Sequence, residues 1–258
     1  MVGHEDEYHD GYVAMLELIW GDGFMAPGGE GNVANLVGDM DLRGKHVLDV
    51  GCGIGGPSFV LAQTYGAHVV GTDLERPLIR RARKRAVELG LSDQTHFQVV
   101  EAGPMNFPGA SFDVIFSSGA FTQTEDKLGA YHECLRTLKP GGVFTCYDWM
   151  KAEGEYSDDM RYWFELEGLT YAMQTLEGHA EILRQAGFTD VEIEDCSDWY
   201  RKRARAEYEL IRTELYPRMV KRLGQELADH FVENWRMLAV VCDKAELLQA
   251  YCRGRKPA

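Results

Sequence analysis

No run of about 18 consecutive apolar residues occurs in this sequence, so no segment is expected to cross a bilayer as a helix. Basic excess is missing too. Lys and Arg number 27 against 41 Asp and Glu, a formal net charge of −14. Nucleic acid and anionic membranes both reward basic surfaces, so neither is expected as a partner. Residues 1–10 are polar and acidic, without the basic and apolar regions of a signal or transit peptide. The six cysteines (52, 134, 146, 196, 242 and 252) form no C-x-x-C pair and no alternating disulfide spacing. Reduced thiols in a cytoplasmic protein are the expectation, with no metal ligand set. Internal repeats and low-complexity segments are absent.

What is present is an α/β rhythm. With 258 residues, 45% of them hydrophobic, the chain can bury one sizeable domain and carry an insertion. Its centre is residues 47–56, Val-Leu-Asp-Val-Gly-Cys-Gly-Ile-Gly-Gly. A short apolar strand there enters a glycine turn, and a helical pattern follows over 59–65. Such a turn brings backbone N–H groups and a helix N-terminus against a ligand, and glycine permits close approach and positive φ. Further strands are predicted over 68–73, 96–101, 112–117, 143–147 and 191–194, with a last short one at 249–253. Helices are predicted over 8–20, 30–40, 77–89, 127–138, 157–173 and 176–185. Residues 199–247 read as mostly helical, with a break at Tyr216-Pro217. Strands alternating with helices imply a parallel, doubly wound sheet. The basic run Arg80, Arg81, Arg83, Lys84, Arg85 reads as a solvated helix face.

Gly51, Gly53 and Gly56 satisfy G-x-G-x-x-G, and Asp73 stands near the spacing of a ribose-binding acid, so an NAD-dependent oxidoreductase is one reading. Two additions favour another: Asp49 precedes the turn, and Lys139-Pro140-Gly141-Gly142 precedes the fifth strand. With them, residues 27–194 resemble the class I S-adenosylmethionine-dependent methyltransferases. The resemblance implies a Rossmann-like seven-stranded methyltransferase sheet with an N-terminal helical cap and helical insertions forming a lid. Its expected divisions are a cap at 1–40, the cofactor-binding core at 41–198, and a lid insertion plus last strand at 199–258. It implies S-adenosyl-L-methionine as cofactor, Asp49 near the methionine end, Asp73 on the ribose hydroxyls, and Glu101 and Ala102 against the adenine. Gly51, Gly53, Gly55, Leu74, Ser117 and Gly28 complete the expected cofactor contacts.

Methyl transfer needs an acceptor lone pair about 3–3.5 Å from the methyl carbon, a dry site and, for an amine, a route for one proton. Tyr8, the stretch from Trp20 to Gly29 and Asp148-Trp149 resemble the phosphoethanolamine N-methyltransferases. In that family an N-terminal tyrosine and a histidine after the fourth strand form a catalytic pair. Tyr8 matches the tyrosine, whereas the histidine position holds Gln123, which cannot take a proton from an ammonium. His9 is the candidate replacement base. Trp149, Tyr147, Tyr171 and Trp20 are the expected acceptor-binding residues, because aromatic faces hold onium cations. The expected function is methyl transfer to a small polar acceptor, an amine of the phosphoethanolamine or betaine type. Methylation of a thiol or thioether to a sulfonium is the alternative, since a thioether has no proton to remove. A catalytically silent partner protein is a third possibility, and the oligomeric state is open.

Overall fold

The computed structural model describes residues 10–258. Strands β1 (His46–Val50), β2 (His68–Asp73), β3 (Thr95–Val99), β4 (Phe112–Ser118), β5 (Leu138–Lys151), β6 (Thr189–Asp195) and β7 (Leu247–Arg255) form one sheet in the order β3-β2-β1-β4-β5-β7-β6. The first five pair in parallel, whereas β7 runs antiparallel between β5 and β6. Val47 is paired with Val69 on one side and Val114 on the other, and neither Val47 nor Leu48 is exposed. A parallel strand covered on both faces reads as a continuous apolar run, which is why β1 is legible.

Two departures from the expected elements have local causes. β5 begins at Leu138 rather than 143, and the register jumps from Phe112↔Leu138 to Val114↔Val143. The Lys-Pro-Gly-Gly segment is therefore a bulge inside the strand. It accommodates Gly141 at φ +74° and is pinned by Lys139 Nζ to Asp113 Oδ2 at 2.8 Å. β7 is longer than predicted because it has neighbours on both sides, reaching from Leu247 against Lys151 to Arg255 against Val143.

The helices are α1 (Asp10–Trp20), α2 (Gly29–Val37), α3 (Gly56–Gln63), α4 (Arg76–Glu88), α5 (Lys127–Thr137), α6 (Asp158–Glu167), α7 (Leu176–Gln185), α8 (Ser197–Leu210), α9 (Tyr216–Leu223) and α10 (Gln225–Asp243). The break expected at Tyr216-Pro217 is a wide π turn, Ile211–Leu215, that hands α8 directly to α9. Proline sits in the first turn of α9, where its missing N–H costs nothing. Helices α1, α6 and α8–α10 share a core around Trp163, Tyr200, Phe231 and Trp235.

A single carboxylate ties this layer together. Glu207, only 4% exposed, accepts from Trp20 Nε1 at 2.9 Å, Trp235 Nε1 at 3.3 Å and Arg203 Nε at 2.7 Å. Its loss would strand two indole N–H groups and a guanidinium together. Glu207→Ala is expected to cost about 2–3 kcal/mol in urea unfolding, the half-solvated Arg203 softening the penalty, and Glu207→Gln clearly less. Equal stability of the alanine variant and the parent would refute this role.

The basic face of α4 is not simply solvated. Arg85 bonds Glu17 at 3.1 Å and also pairs with Asp22, and Arg81 bonds Glu17 at 3.2 Å. Two of the five cations expected to face water instead fasten α1 to the core; Arg80, Arg83 and Lys84 remain exposed. Sequence periodicity could not show this, because the acids that claim these cations are more than 60 residues upstream.

Candidate active site

The turn after β1 is built by its neighbours. Gly51 and Cys52 both donate to the Thr72 carbonyl, at 2.8 and 2.9 Å, extending the β1–β2 pairing into the loop. Gly53 N–H donates to Asp73 Oδ2 at 2.8 Å, and Glu75 N–H to Asp73 Oδ1 at 2.9 Å. Gly51 has φ +71°, and a Cβ there would lie 2.2 Å from that of Ala120. Gly55 has φ +92°, and a Cβ there would meet the Phe59 and Phe97 rings at 2.9–3.0 Å. The glycines are thus required by backbone conformation and by space. Five of the expected cofactor residues (Asp49, Gly51, Gly53, Gly55 and Asp73) meet at this one corner, at the carboxyl ends of β1 and β2. Leu74 follows them, 54% exposed.

Asp49 lies beneath the turn, 1% exposed, accepting from Ser58 Oγ at 2.6 Å. Burial raises its pKa from the ordinary 3.8 to about 7, against the Ser58 bond and with help from the Asp73 charge. Asp73 is also raised by burial, with the N–H groups of Glu75 and Gly53 opposing. For Asp49 the folded pKa exceeds the unfolded one, so between pH 3.8 and about 7 the unfolded chain binds fewer protons. Its contribution to stability therefore falls as pH rises through that window and is level above it. A ligand ammonium docking beside Asp49 favours the ionised form. Ligand binding is expected to tighten from pH 6 to pH 8 and to release a proton near pH 6. Calorimetry in two buffers of different ionisation enthalpy checks this; buffer-independent enthalpies at pH 6 would contradict it.

The remaining predicted cofactor residues are more scattered. Ser117 is buried, its hydroxyl donating to the Val50 carbonyl at 2.8 Å, so its side chain braces β1 against β4. Gly28, at φ +94°, precedes α2, and a Cβ there would meet Asn32 Cβ at 2.7 Å and Trp199 at 3.2 Å. Asn32 in turn donates to Ser118 Oγ at 3.2 Å, which brings the segment before α2 to the end of β4. Glu101 and Ala102 follow β3 and are exposed.

The segment after α1 forms the roof. Gly56 N–H donates to the Gly23 carbonyl at 3.1 Å, and a Cβ on Gly53 would lie 2.9 Å from Met25 Sδ. Met25 also packs with Val13, Ile54 and Leu78. Glu17 accepts from Gly23 N–H at 2.9 Å while holding Arg81 and Arg85, so one carboxylate shapes the roof and bolts it down.

Beyond the roof lies the aromatic wall. The Trp149 ring is 5.3 Å from Trp163, 5.8 Å from Tyr171 and 6.4 Å from Tyr200. Glu167 closes one side, accepting from Tyr171 OH at 3.1 Å and Asn234 Nδ2 at 2.9 Å. Tyr147 is on the same face of β5 but is fully buried beneath Trp199, at 6.5 Å, and Tyr251, at 5.6 Å. Trp20 stands against Trp235 at 6.0 Å, with its N–H on Glu207. Three fully buried residues on this side of the sheet carry polar atoms with no hydrogen-bond partner: the hydroxyls of Tyr147 and Tyr200 and the amide of Gln249, whose Cα is registered against that of Trp149.

Gln123, half-buried, ends the short 3-10 turn Phe121–Gln123 after β4. Buried Lys127 fastens that turn, donating to the carbonyls of Phe121 at 2.5 Å and Thr124 at 2.9 Å. Thr122 bonds the buried Asp148 carboxylate and accepts from Trp149 N–H at 3.2 Å, linking the Gln123 turn to the aromatic wall. Tyr8 and His9 lie outside the described residues. Sequence reading missed Ser58, Met25, Thr122, Lys127 and Glu167. Only Ser58 left a signal, as a hydroxyl in the first turn after the glycines.

Residues 47–142 match the family described as a methyltransferase domain. The chain is 31% identical over 241 residues to phosphoethanolamine N-methyltransferase 1 of Arabidopsis thaliana, covering 93% of this chain and 48% of that one. It is 35% identical over 181 residues to a sterol 24-C-methyltransferase of Gibberella zeae, covering 65% and 46%. It spans about half the length of these curated relatives. Among solved structures, Haemonchus contortus phosphoethanolamine N-methyltransferase 2, in complex with phosphomonomethylethanolamine and S-adenosylhomocysteine, superposes with a TM-score of 0.91 at 24% identity. That match covers all of this chain and 61% of the other and establishes a shared fold.

Proposed function

We propose that this chain, which belongs to the class I S-adenosylmethionine-dependent methyltransferases, methylates a small polar amine of the phosphoethanolamine or betaine type. The cofactor fits the corner after β1: positions 51, 53 and 55 have no room for a Cβ, and two carboxylates flank the turn. Asp73 would hold the ribose hydroxyls and Asp49 the amino-acid end. Bound S-adenosylmethionine supplies a methyl already activated on a sulfonium. The chain has to exclude water, for which the Gly23–Met25 roof is placed, to orient the acceptor, and to take one proton from the attacking amine, the role assigned to His9 with Tyr8. The antiparallel β7 supports this reading over a dinucleotide oxidoreductase, whose second mononucleotide half needs a continued parallel sheet. Six buried free thiols among the described residues support a reducing compartment such as the cytoplasm. No helix among these residues is long and apolar enough to cross a membrane.

The observation that carries the acceptor class is the set of orphaned groups beside Trp149. Buried polar atoms are normally paired with protein, water or ligand, and the phenol hydroxyls and amide left over on one face support a polar ligand there. A cationic amine suits the aromatic rings and the Glu167 carboxylate, and its polar tail suits Tyr200 and Gln249. Labelled donor offered with small amines, thiols and thioethers is expected to mark an amine. Labelling of a thioether alone would favour the sulfonium-forming alternative, for which Gln123 in place of a base is no handicap. Trp149→Ala is expected to raise the acceptor KM about tenfold or more, with the S-adenosylhomocysteine Kd unchanged. Tyr200→Phe separates ligand binding from packing. A rise in KM supports the proposal, whereas higher stability with an unchanged KM would sink it.

A further inference from the structure

On the opposite face of the sheet, three residues far apart in sequence come together. Cys146 of β5 and Cys252 of β7 are register partners across the antiparallel pair, and His179 of α7 packs over them. One donor atom from each lies within 4.8 Å of the other two. Both thiols and the imidazole are fully buried.

We propose that Cys146, Cys252 and His179 bind a borderline-soft d10 ion, with Zn2+ as the natural probe, forming a structural clip that joins β5, β7 and α7.

Donors around a tetrahedral zinc stand about 3.4–3.8 Å apart, as sulfur–zinc bonds near 2.3 Å and nitrogen–zinc bonds near 2.0–2.1 Å dictate. The observed donors, within 4.8 Å of one another, have to close by no more than about 1.4 Å to reach that spacing. His179 is prepared for the role: its Nε2 is 2.7 Å from Tyr131 OH, and the ring also engages the Cys252 thiol. A ligating histidine commonly has its second ring nitrogen held in this way, which fixes tautomer and ring orientation. Asp148, two residues from Cys146 on the same face of β5, is not among the donors that lie within 4.8 Å of one another and would complete a fourth position only by swinging toward them. Thr122 holds one of its oxygens, and Oδ2 has no partner. A zinc ion takes cysteine as thiolate and histidine as neutral imidazole, so binding displaces the thiol protons to solvent. Nothing is oxidised or reduced. Cysteines at 146 and 252 and a histidine at 179 have no knuckle spacing, which is why the sequence gives no hint of a metal.

The test uses the full chain without an affinity tag, purified under reducing conditions. Elemental analysis is expected to find one zinc per chain, retained through dialysis. Cobalt added to chelator-stripped protein is expected to give the intense visible bands of a tetrahedral site and a thiolate charge-transfer band in the near ultraviolet. Cys252→Ser and His179→Asn should lose both signals, with Cys242→Ser as a buried-cysteine control that keeps them. Because the site variants can fail to fold, the cobalt spectrum of the parent chain is decisive by itself. A parent chain with no bound zinc and only the weak spectrum of hydrated cobalt overturns the proposal. So does oxidant-induced formation of a Cys146–Cys252 disulfide at a rate that added zinc leaves unchanged. Neither result bears on S-adenosylhomocysteine binding at the far face, so the two readings fail independently.

Discussion

Asp73→Ala is expected to weaken S-adenosylhomocysteine binding by about 100-fold or more. The carboxylate already accepts one N–H on each oxygen, from Gly53 and Glu75, and so is aimed before any ligand arrives. Each oxygen has a further lone pair, enough for two ribose hydroxyls. Hydrogen bonds to a charged group contribute about 1.5–3 kcal/mol each, so losing two costs at least about 3 kcal/mol, and 1.4 kcal/mol is tenfold. Truncation also frees the Gly53 N–H and loosens the turn. Asp73→Asn should fall between, since an amide restores one acceptor oxygen and sets an NH2 group on the other side, facing either the Gly53 or the Glu75 N–H. Titration calorimetry reads the series, and an alanine variant within threefold of the parent would remove Asp73 from the cofactor site.

Gly56→Ala is expected to cut turnover by at least about tenfold while leaving the sheet intact. A Cβ at position 56 would stand 2.2 Å from the Gly23 carbonyl oxygen and 2.6 Å from its carbon, both backbone atoms that cannot rotate away. Such overpacking costs about 1–3 kcal/mol where it cannot relax. Here relaxation means lifting the roof, so the hydrogen bond from Gly56 N–H is lost and Met25 moves off Gly53. The penalty should appear as faster amide exchange in the Gly23–Met25 segment and weakened water exclusion over the site, with little change in unfolding. Unchanged exchange with lost stability would place the clash in the core instead.

The glycine turn was legible because its requirements are local. Strand, glycines and helix are contiguous, and Asp49 and Asp73 end or precede elements whose periodicity is plain. β1, β2 and β4 followed for the same reason, since buried parallel strands announce themselves as apolar runs, whereas edge strand β3 alternates and the start of β5 was missed. The proposed acceptor side was hidden because its pieces come from everywhere. Trp149 on β5, Tyr171 before α7, Tyr200 on α8 and Gln249 on β7 meet only through the crossover that inserts β7 between β5 and β6. Of the four aromatic residues expected to bind the acceptor, Trp149 and Tyr171 come together, but sequence could not tell that Tyr147 is sealed under Trp199 whereas Trp149 is half-buried. Long-range polar contacts were invisible for a related reason. Glu17 with Arg81 and Arg85, and Glu207 with Trp20 and Trp235, join elements whose separation in sequence carries no periodic trace.

The most direct test of the whole account is calorimetric titration of the purified chain with S-adenosylhomocysteine and, separately, with NAD. Saturable one-to-one binding of the adenosyl amino acid, with no heat from the dinucleotide, is the predicted result. Binding of NAD with indifference to S-adenosylhomocysteine at millimolar concentration would contradict it, and the corner after β1 would then belong to a different chemistry.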